Sequence, residues 1–345
     1  MSTKIIAFEG ADFSGKSTLA EEMAKSYNFA MLVHFPIMSD SRIASTFDAM
    51  KDSIYNEEFM NDLSSKNPFN RIMGLTDSLT LNIAINNINQ IKFLNDLIRM
   101  CDIDYDEFFC PSTYIQKFRF FDNGNEIKYN KEHMLHLQKM MFKRMVINEK
   151  NVSKAIIFDR SIISTRVYNY IIPNKILDKY IDKYTNDNTI TSLKIAENLK
   201  EIKKLIRTAQ EIAEVCYMDK LDKLVHTTNP TIKMYTIICN NSDNVTEFYK
   251  QKRADKNDDY DKNTMIQEIA KKYYDDLYYN ANNKTSKESW IDIHKTYEIK
   301  PIKVDMIFSR ITDENVKPED QVDNLITKIK NYPLCSALEE EDKYF

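Results

Sequence analysis

The sequence predicts an α/β fold: a five-stranded parallel sheet with helices on both faces, plus two largely helical insertions. Three observations predict it. Five short β-rich apolar runs recur at residues 4–9 (KIIAFE), 29–35 (FAMLVHF), 154–158 (KAIIF), 232–239 (IKMYTIIC) and 302–308 (IKVDMIF). Several are apolar on both faces, the pattern of strands buried in a parallel sheet. Segments of helical periodicity separate them, and such alternation feeds right-handed crossovers that place helices on both sides.

The first run leads into residues 8–18, FEGADFSGKST. Gly10, Gly15, Lys16 and Ser17 satisfy G-x-x-x-x-G-K-[ST], with a strand before and a helix after. Glycines let the backbone turn tightly and bring amide N–H groups against phosphate oxygens. The helix N-terminus adds its positive dipole end. Lys16 supplies a cation for the β- and γ-phosphates and Ser17 a hydroxyl for Mg²⁺. Gly10, Asp12, Phe13, Ser14, Gly15, Lys16, Ser17 and Thr18 are therefore the candidate ATP-binding loop.

About 120 residues separate the second run from the third and roughly 75 the third from the fourth, more than one crossover helix needs. This places insertions at about 66–130 and 174–228. The first combines a helical stretch at 79–100 with a polar, aromatic part whose FDNGNE (121–126) carries a hairpin-like turn at Asn123-Gly124. The second contains Ile195, Leu199, Ile202, Ile206, Ala209, Ile212 and Val215 at three- and four-residue steps, one long amphipathic helix over 189–225 facing the core or a dimer partner.

The third run ends in IIFDRSIISTR (156–166). Asp159 falls at the C-terminal end of a buried strand, the edge where open α/β sheets bind ligands. A carboxylate there can serve Mg²⁺ or accept the proton of an attacking oxygen, and Arg160 offers a planar fork to a phosphate. The fourth run is followed by a charged loop at about 250–261, KQKRADKNDDYD, and a helix at 264–277. Such a loop fits a mobile lid, and its Lys250, Lys252, Arg253 and Lys256 could neutralise charge on a transferring phosphate. After the fifth run, Ser309, Arg310 and Ile311 are the candidate adenine neighbours.

Together these motifs resemble the thymidylate kinase family of P-loop kinases. FEGADFSGKST resembles its FEG-x-D-x-x-GKST loop, Phe35-Pro36 its F-P element, Asp159-Arg160 its D-R-Y motif, and Tyr260-Asp261 its aromatic–acid lid ending. The resemblance covers residues 1–48, about 132–172 and 232–330 and leaves the insertions unexplained. It implies transfer of the ATP γ-phosphate to the 5′-phosphate of a deoxynucleotide such as dTMP or dUMP, with Mg²⁺ and commonly a homodimer. By carry-over Asp12 meets the deoxyribose or orders an arginine, Arg160 grips the acceptor phosphate, and Asp159 serves the metal and the attacking oxygen.

Two departures change the assignments. Ser161 stands where the family has Tyr, and Phe13 where some members have Arg, so Arg253 becomes the candidate catalytic cation beside Lys16, Asp159 and Arg160. DRSIISTR also resembles the [E/D]-R-S segment of deoxynucleoside kinases, which read the base with a helical glutamine, and Gln138 lies near that place. A nucleotide acceptor needs more cations than a nucleoside. Arg42, Lys139, Lys143, Arg144 and Arg166 could supply them, and the expectation therefore favours the nucleotide. Asp12, Phe35, Arg42, Gln138, Lys139, Arg160 and Arg166 are the candidate substrate contacts, and Ser17 and Asp159 the candidate metal ligands. A deoxynucleoside kinase is the alternative, and a non-catalytic nucleotide-binding module a further one.

Composition bounds the rest. Of 345 residues 43% are hydrophobic, with four Gly and eight Pro, which excludes a disordered or fibrous chain. A formal charge of −4 speaks against a nucleic-acid polymer as general partner. The five cysteines form no C-x-x-C pair, pointing to reduced thiols and a cytoplasmic setting. No apolar run reaches the ~18 residues of a membrane span. One domain at 1–335 and an acidic tail at 336–345 are expected.

Overall fold

The computed structural model describes residues 3–37, 79–101, 118–128, 134–147, 149–228, 234–254, 264–283, 297 and 305–331. In chain order they form β1 (Lys4–Glu9), α1 (Lys16–Lys25), β2 (Phe29–His34), α2 (Leu79–Cys101), β3 (Phe118–Asp122), β4 (Asn125–Glu126), α3 (Met134–Val146), β5 (Lys154–Asp159), α4 (Ile162–Arg166), a π-helical turn (Val167–Ile171), α5 (Ile172–Asp187), α6 (Ile190–Thr228), β6 (Met234–Cys239), α7 (Asp243–Ala254), α8 (Thr264–Asn283), β7 (Asp305–Ser309) and α9 (Pro318–Asn331).

The result is an α/β fold on a mixed sheet of order β4-β3-β2-β5-β1-β6-β7. β2, β5, β1, β6 and β7 run parallel, which accounts for the five apolar runs. The sheet nevertheless has seven strands rather than five. β3 pairs antiparallel with β2, and β4 folds back on β3. Asn123 and Gly124 both take positive φ (47° and 81°), the turn geometry that matches the twist of a two-residue hairpin. Arg119 clamps the hairpin by donating to both Glu126 oxygens (2.7 and 2.8 Å). This part of the first insertion thus extends the sheet edge.

Alternation along the strands divides the core in two. Ile5, Ala7, Met31, Val33, Ile156 and Phe158 face one side, packed with residues of α2, α5, α6 and α8. Ile6, Phe8, Ala30, Leu32, Ala155 and Ile157 face α1 and α9 on the other. Burying one such aliphatic side chain contributes about 1.5–3 kcal/mol, so both layers are strongly held. The helices of the two insertions pack on each other, α2 against α6, and share the first of these clusters.

Two helix expectations are corrected. On α6 the buried face follows Ile195, Leu199, Ile202 and Ile206 as expected, then continues through Gln210, Ala213, Tyr217, Leu221 and Leu224. Ile212 and Val215 point outward, 62% and 72% exposed. The reason lies in Tyr217, whose hydroxyl donates to Gln90 and Asn87 of α2, drawing a polar-tipped residue inward. The charged segment from Lys250 to Ala254 is helical, the end of α7, rather than loop; Lys250 pairs there with Glu247 one turn earlier.

Lys154 opens β5 with its side chain 1% exposed. Its ammonium donates to the Arg144 and Ile147 carbonyls (2.6 and 2.7 Å) and to Glu149 (2.8 Å), satisfying orphan acceptors at the end of α3. That fixes the end of α3 at the sheet edge where β5 begins, opposite the edge where it ends at Asp159.

Candidate functional site

The C-terminal ends of β2, β5, β1 and β6 converge on one edge, with β1 at the point where the chain order reverses, where open α/β sheets bind ligands. Gly10 turns the chain out of β1 at φ 154°; a Cβ there would lie 2.5 Å from the Cys239 carbonyl and from Ser14 Oγ, so only glycine fits. The Ser14 amide donates to Ala11 O (3.3 Å), closing the loop. Phe13 sits in the left-handed region (φ 63°), and its carbonyl accepts from Asn241 Nδ2 (3.3 Å) beyond β6. Gly15, also left-handed (φ 76°), caps α1, whose first residue is Lys16.

Lys16 is buried and donates to Ala11 O (3.1 Å) and Asp12 Oδ1 (3.3 Å). Arg160 reaches the same Asp12 oxygen from the turn after β5, and its guanidinium lies 5.0 Å over the Tyr168 ring. The Tyr168 hydroxyl approaches the other Asp12 oxygen at 3.4 Å. Arg160 itself takes φ 72°, with its amide bonded to Phe8 O (2.9 Å). A non-glycine residue held in that region marks a position the surroundings over-determine. Asp12 thus joins a cation at the start of α1 to a cation of the β5 turn.

The same grouping sets the protonation states. Burial alone would raise the Asp12 carboxyl, but Lys16 and Arg160 outweigh it and bring it down to about 2. A carboxylate depressed on folding contributes stability that is fully present above its unfolded value and is lost as pH falls towards its folded one. Wild type is therefore expected to lose its advantage over Asp12→Asn between about pH 5 and about pH 2. Denaturant titrations of both proteins should show roughly 1 kcal/mol of a total of about 2 gone by pH 3. A gap that stays constant over that range would show that Asp12 is not held by the two cations.

Beside this cluster, His34 and Asp159 occupy paired positions at the ends of β2 and β5, with His34 Nδ1 3.1 Å from Asp159 Oδ2. Burial would raise the Asp159 carboxyl, but the His34 hydrogen bond and the charge of Lys16 leave it below the ordinary value. Its Oδ1 completes no hydrogen bond of full geometry among the described residues. A cavity of about 470 Å³ opens here, lined by Ser17, Thr18, Glu21, His34, Arg119 and Asp159 among others.

Glu9, wholly buried at the end of β1, holds the turn from behind. Its carboxylate accepts from the Ser161 amide (2.7 Å) and hydroxyl (2.8 Å), from the Ser164 amide (3.1 Å) and hydroxyl, and from Tyr274 OH (3.2 Å) of α8. It caps α4 through space, as a side chain at an N-cap would. Ser161, where a tyrosine was expected from the resemblance, is one of the donors this carboxylate uses.

The remaining expected residues are scattered. Phe35 is core, edge-on to Phe93 (5.8 Å) and Phe158 (6.4 Å), because strand alternation turns it to the face opposite His34. Arg166 is 1% exposed and forked by Glu214 (2.8 and 2.6 Å), so its charge is spent within the core rather than offered to a substrate. Arg144 stacks over Phe29 (4.4 Å) at the far sheet edge, and Lys143 precedes it on the same last turn of α3. Lys139 lies on α3, half-buried. Arg310, just past β7, stacks 4.9 and 5.5 Å over Tyr278 and Tyr279. Arg42, the Gln138 and Arg253 side chains, and the lid beyond Ala254 lie outside the described residues. His34, Tyr168 and Asn241 join the site without a motif to announce them, and Glu9, though part of the quoted FEG, was given no role of its own.

Comparison of the chain with family models, with curated proteins and with solved structures finds no match.

Proposed function

We propose that the protein is a P-loop kinase that transfers the γ-phosphoryl group of ATP to the 5′-phosphate of a deoxynucleoside monophosphate, as in the thymidylate kinase family its motifs resemble. The observation that carries this reading is the convergence of Lys16 and Arg160 on Asp12. One cation belongs to a loop shaped for phosphates and the other to the turn across from it, the layout two phosphate groups need if one is to react with the other. The Gly10 cradle, which a single Cβ would fill, supports close approach of the donor's phosphates to the backbone.

In this reading an oxygen of the acceptor phosphate attacks the γ-phosphorus, the bond to the β–γ bridging oxygen breaks, and ADP leaves with that electron pair. Lys16 turns from Asp12 to the donor phosphates and stabilises charge there. Arg160, oriented by Asp12 and Tyr168, holds the acceptor phosphate in line. Asp159, whose Oδ1 completes no hydrogen bond among the described residues, and the exposed Ser17, whose hydroxyl approaches the same carboxylate on the same cavity, suit Mg²⁺, which when bound would neutralise phosphate charge.

One observation favours a second reading. Arg144 and Arg166, two of the five cations that pointed to a nucleotide acceptor, are committed elsewhere. A nucleoside whose 5′-hydroxyl attacks would need fewer. The test is to incubate the protein with ATP·Mg²⁺ and, in turn, each deoxynucleoside and each deoxynucleoside monophosphate. Diphosphate formed from dTMP or dUMP is the expected result. Product from nucleosides alone would replace the proposal with the second reading, and ATP binding without any acceptor would leave a nucleotide-binding module.

A further inference from the structure

We infer that His34 is a nitrogen ligand of the divalent ion held by Ser17 and Asp159, so that the site takes a transition-series ion such as Mn²⁺ in preference to Mg²⁺. The inference rests on the phosphate-loop reading and concerns a residue that no motif of the sequence singles out.

The geometry begins with the sheet. Parallel pairing sets His34 directly beside Asp159, at the two strand ends that face the first turn of α1. Donor atoms at cis positions around one ion, each about 2.1 Å from it, stand about 3.0 Å apart. His34 Nδ1 and Asp159 Oδ2 are hydrogen-bonded at 3.1 Å, the same spacing, so an ion would take the place of the proton they share. The Asp159 side chain is 9% exposed, its carboxylate is approached by His34 and by the Ser17 hydroxyl, and its buried Oδ1 completes no hydrogen bond of full geometry among the described residues, an arrangement that a cation would complete.

Ser17, His34 and Asp159 share the wall of one cavity, so a hydroxyl, an imidazole and a carboxylate are open to the same space. The His34 side chain is 60% exposed and can rotate about its own bonds without disturbing the core. The nearest guanidinium on that wall, Arg119, is neutralised by Glu21 and Glu126 and does not oppose a cation. Lys16 is turned towards Ala11 and Asp12.

Mg²⁺ favours six oxygens in a near-ideal octahedron, whereas an imidazole is a better ligand for first-row transition ions. A histidine in place of one oxygen therefore shifts selectivity. Loss of the histidine should weaken the transition ion by at least about tenfold, the scale that even a partner of a ligand carries, and Mg²⁺ by much less.

The test uses the full-length protein, Mn²⁺ and a non-hydrolysable ATP analogue. Pulsed electron paramagnetic resonance of the ternary complex should show the echo modulation of a directly bound ¹⁴N. That modulation should change to ¹⁵N when only the protein is labelled, which excludes the adenine as its source. In His34→Ala the modulation should vanish while Mn²⁺ still binds, at least about tenfold more weakly, and Mg²⁺ affinity should change less than threefold. Mn²⁺ bound with the analogue but without protein nitrogen coupling overturns this inference and leaves the phosphate-loop reading standing. Failure of Mn²⁺ and the analogue to bind at all overturns both.

Discussion

Lys16→Ala is expected to lower kcat by about 10³-fold or more while the protein stays folded. The two halves of that expectation come from the same surroundings. Burial and the neighbouring Arg160 both work against the Lys16 charge and lower its pKa, and Asp12 and Asp159 only partly offset them. The cation is therefore held where it is not needed for folding. Removing it leaves Asp12 with Arg160 and Tyr168 as partners, so no buried carboxylate is stranded. Activity has no such reserve, because Arg160 approaches from the β5 turn and cannot replace a cation on the donor phosphates. Initial rates with the accepted substrate, beside thermal melts of both proteins, check the two halves separately. Near-normal turnover in the variant would sink the phosphate-loop assignment, and a collapsed melt would show that Lys16 is structural.

Glu214→Ala is expected to cost about 3–5 kcal/mol of stability, the largest effect of any single change considered. Arg166, 1% exposed, would be left charged in the core with its main partner gone. Natural domains have only about 5–15 kcal/mol to lose, so the denaturation midpoint should fall by about a fifth or more. The double variant Arg166→Met with Glu214→Leu should regain most of the loss, since a buried pair replaced by apolar groups of similar volume is close to neutral. Urea titrations of the two singles and the double form the cycle. A cost under about 1 kcal/mol for Glu214→Ala would mean that Arg166 finds another outlet. Its place among the acceptor cations, and with it the balance between nucleotide and nucleoside, would then reopen.

The parts of the molecule that were legible in the sequence are those governed by local pattern. The parallel strands stood out because several are apolar on both faces, and the turn after β1 because Gly10 and Gly15 punctuate it between a strand and a helix. What escaped depends on partners far along the chain. The Asn123-Gly124 turn was visible, but nothing local told that its first strand would pair with β2 rather than stand apart. On α6 the apolar steps through Ile212 and Val215 looked continuous, yet Tyr217 takes the inner face because its hydroxyl is satisfied there by the side-chain amides of α2, and Gln210 shares that face with its Nε2 donating to Glu214. Phe35 was read as a contact because it belongs to a motif. Its neighbour His34 faces the cavity instead, by a period of two that the motif does not encode. Glu9 carries no signal as a capping residue, since its donors come more than 150 residues later in the chain.

That last arrangement bears on how the site can move. One carboxylate gathers the amides that open α4 and a hydroxyl from α8, and it leaves from the strand that leads into the Gly10–Lys16 loop. The turn bearing Arg160 cannot swing on its own without stranding a fully buried charge. Its amides should accordingly resist hydrogen exchange as long as β1 itself does, opening with the sheet and not before it. Any opening of the site must then be carried by segments that Glu9 does not tie down.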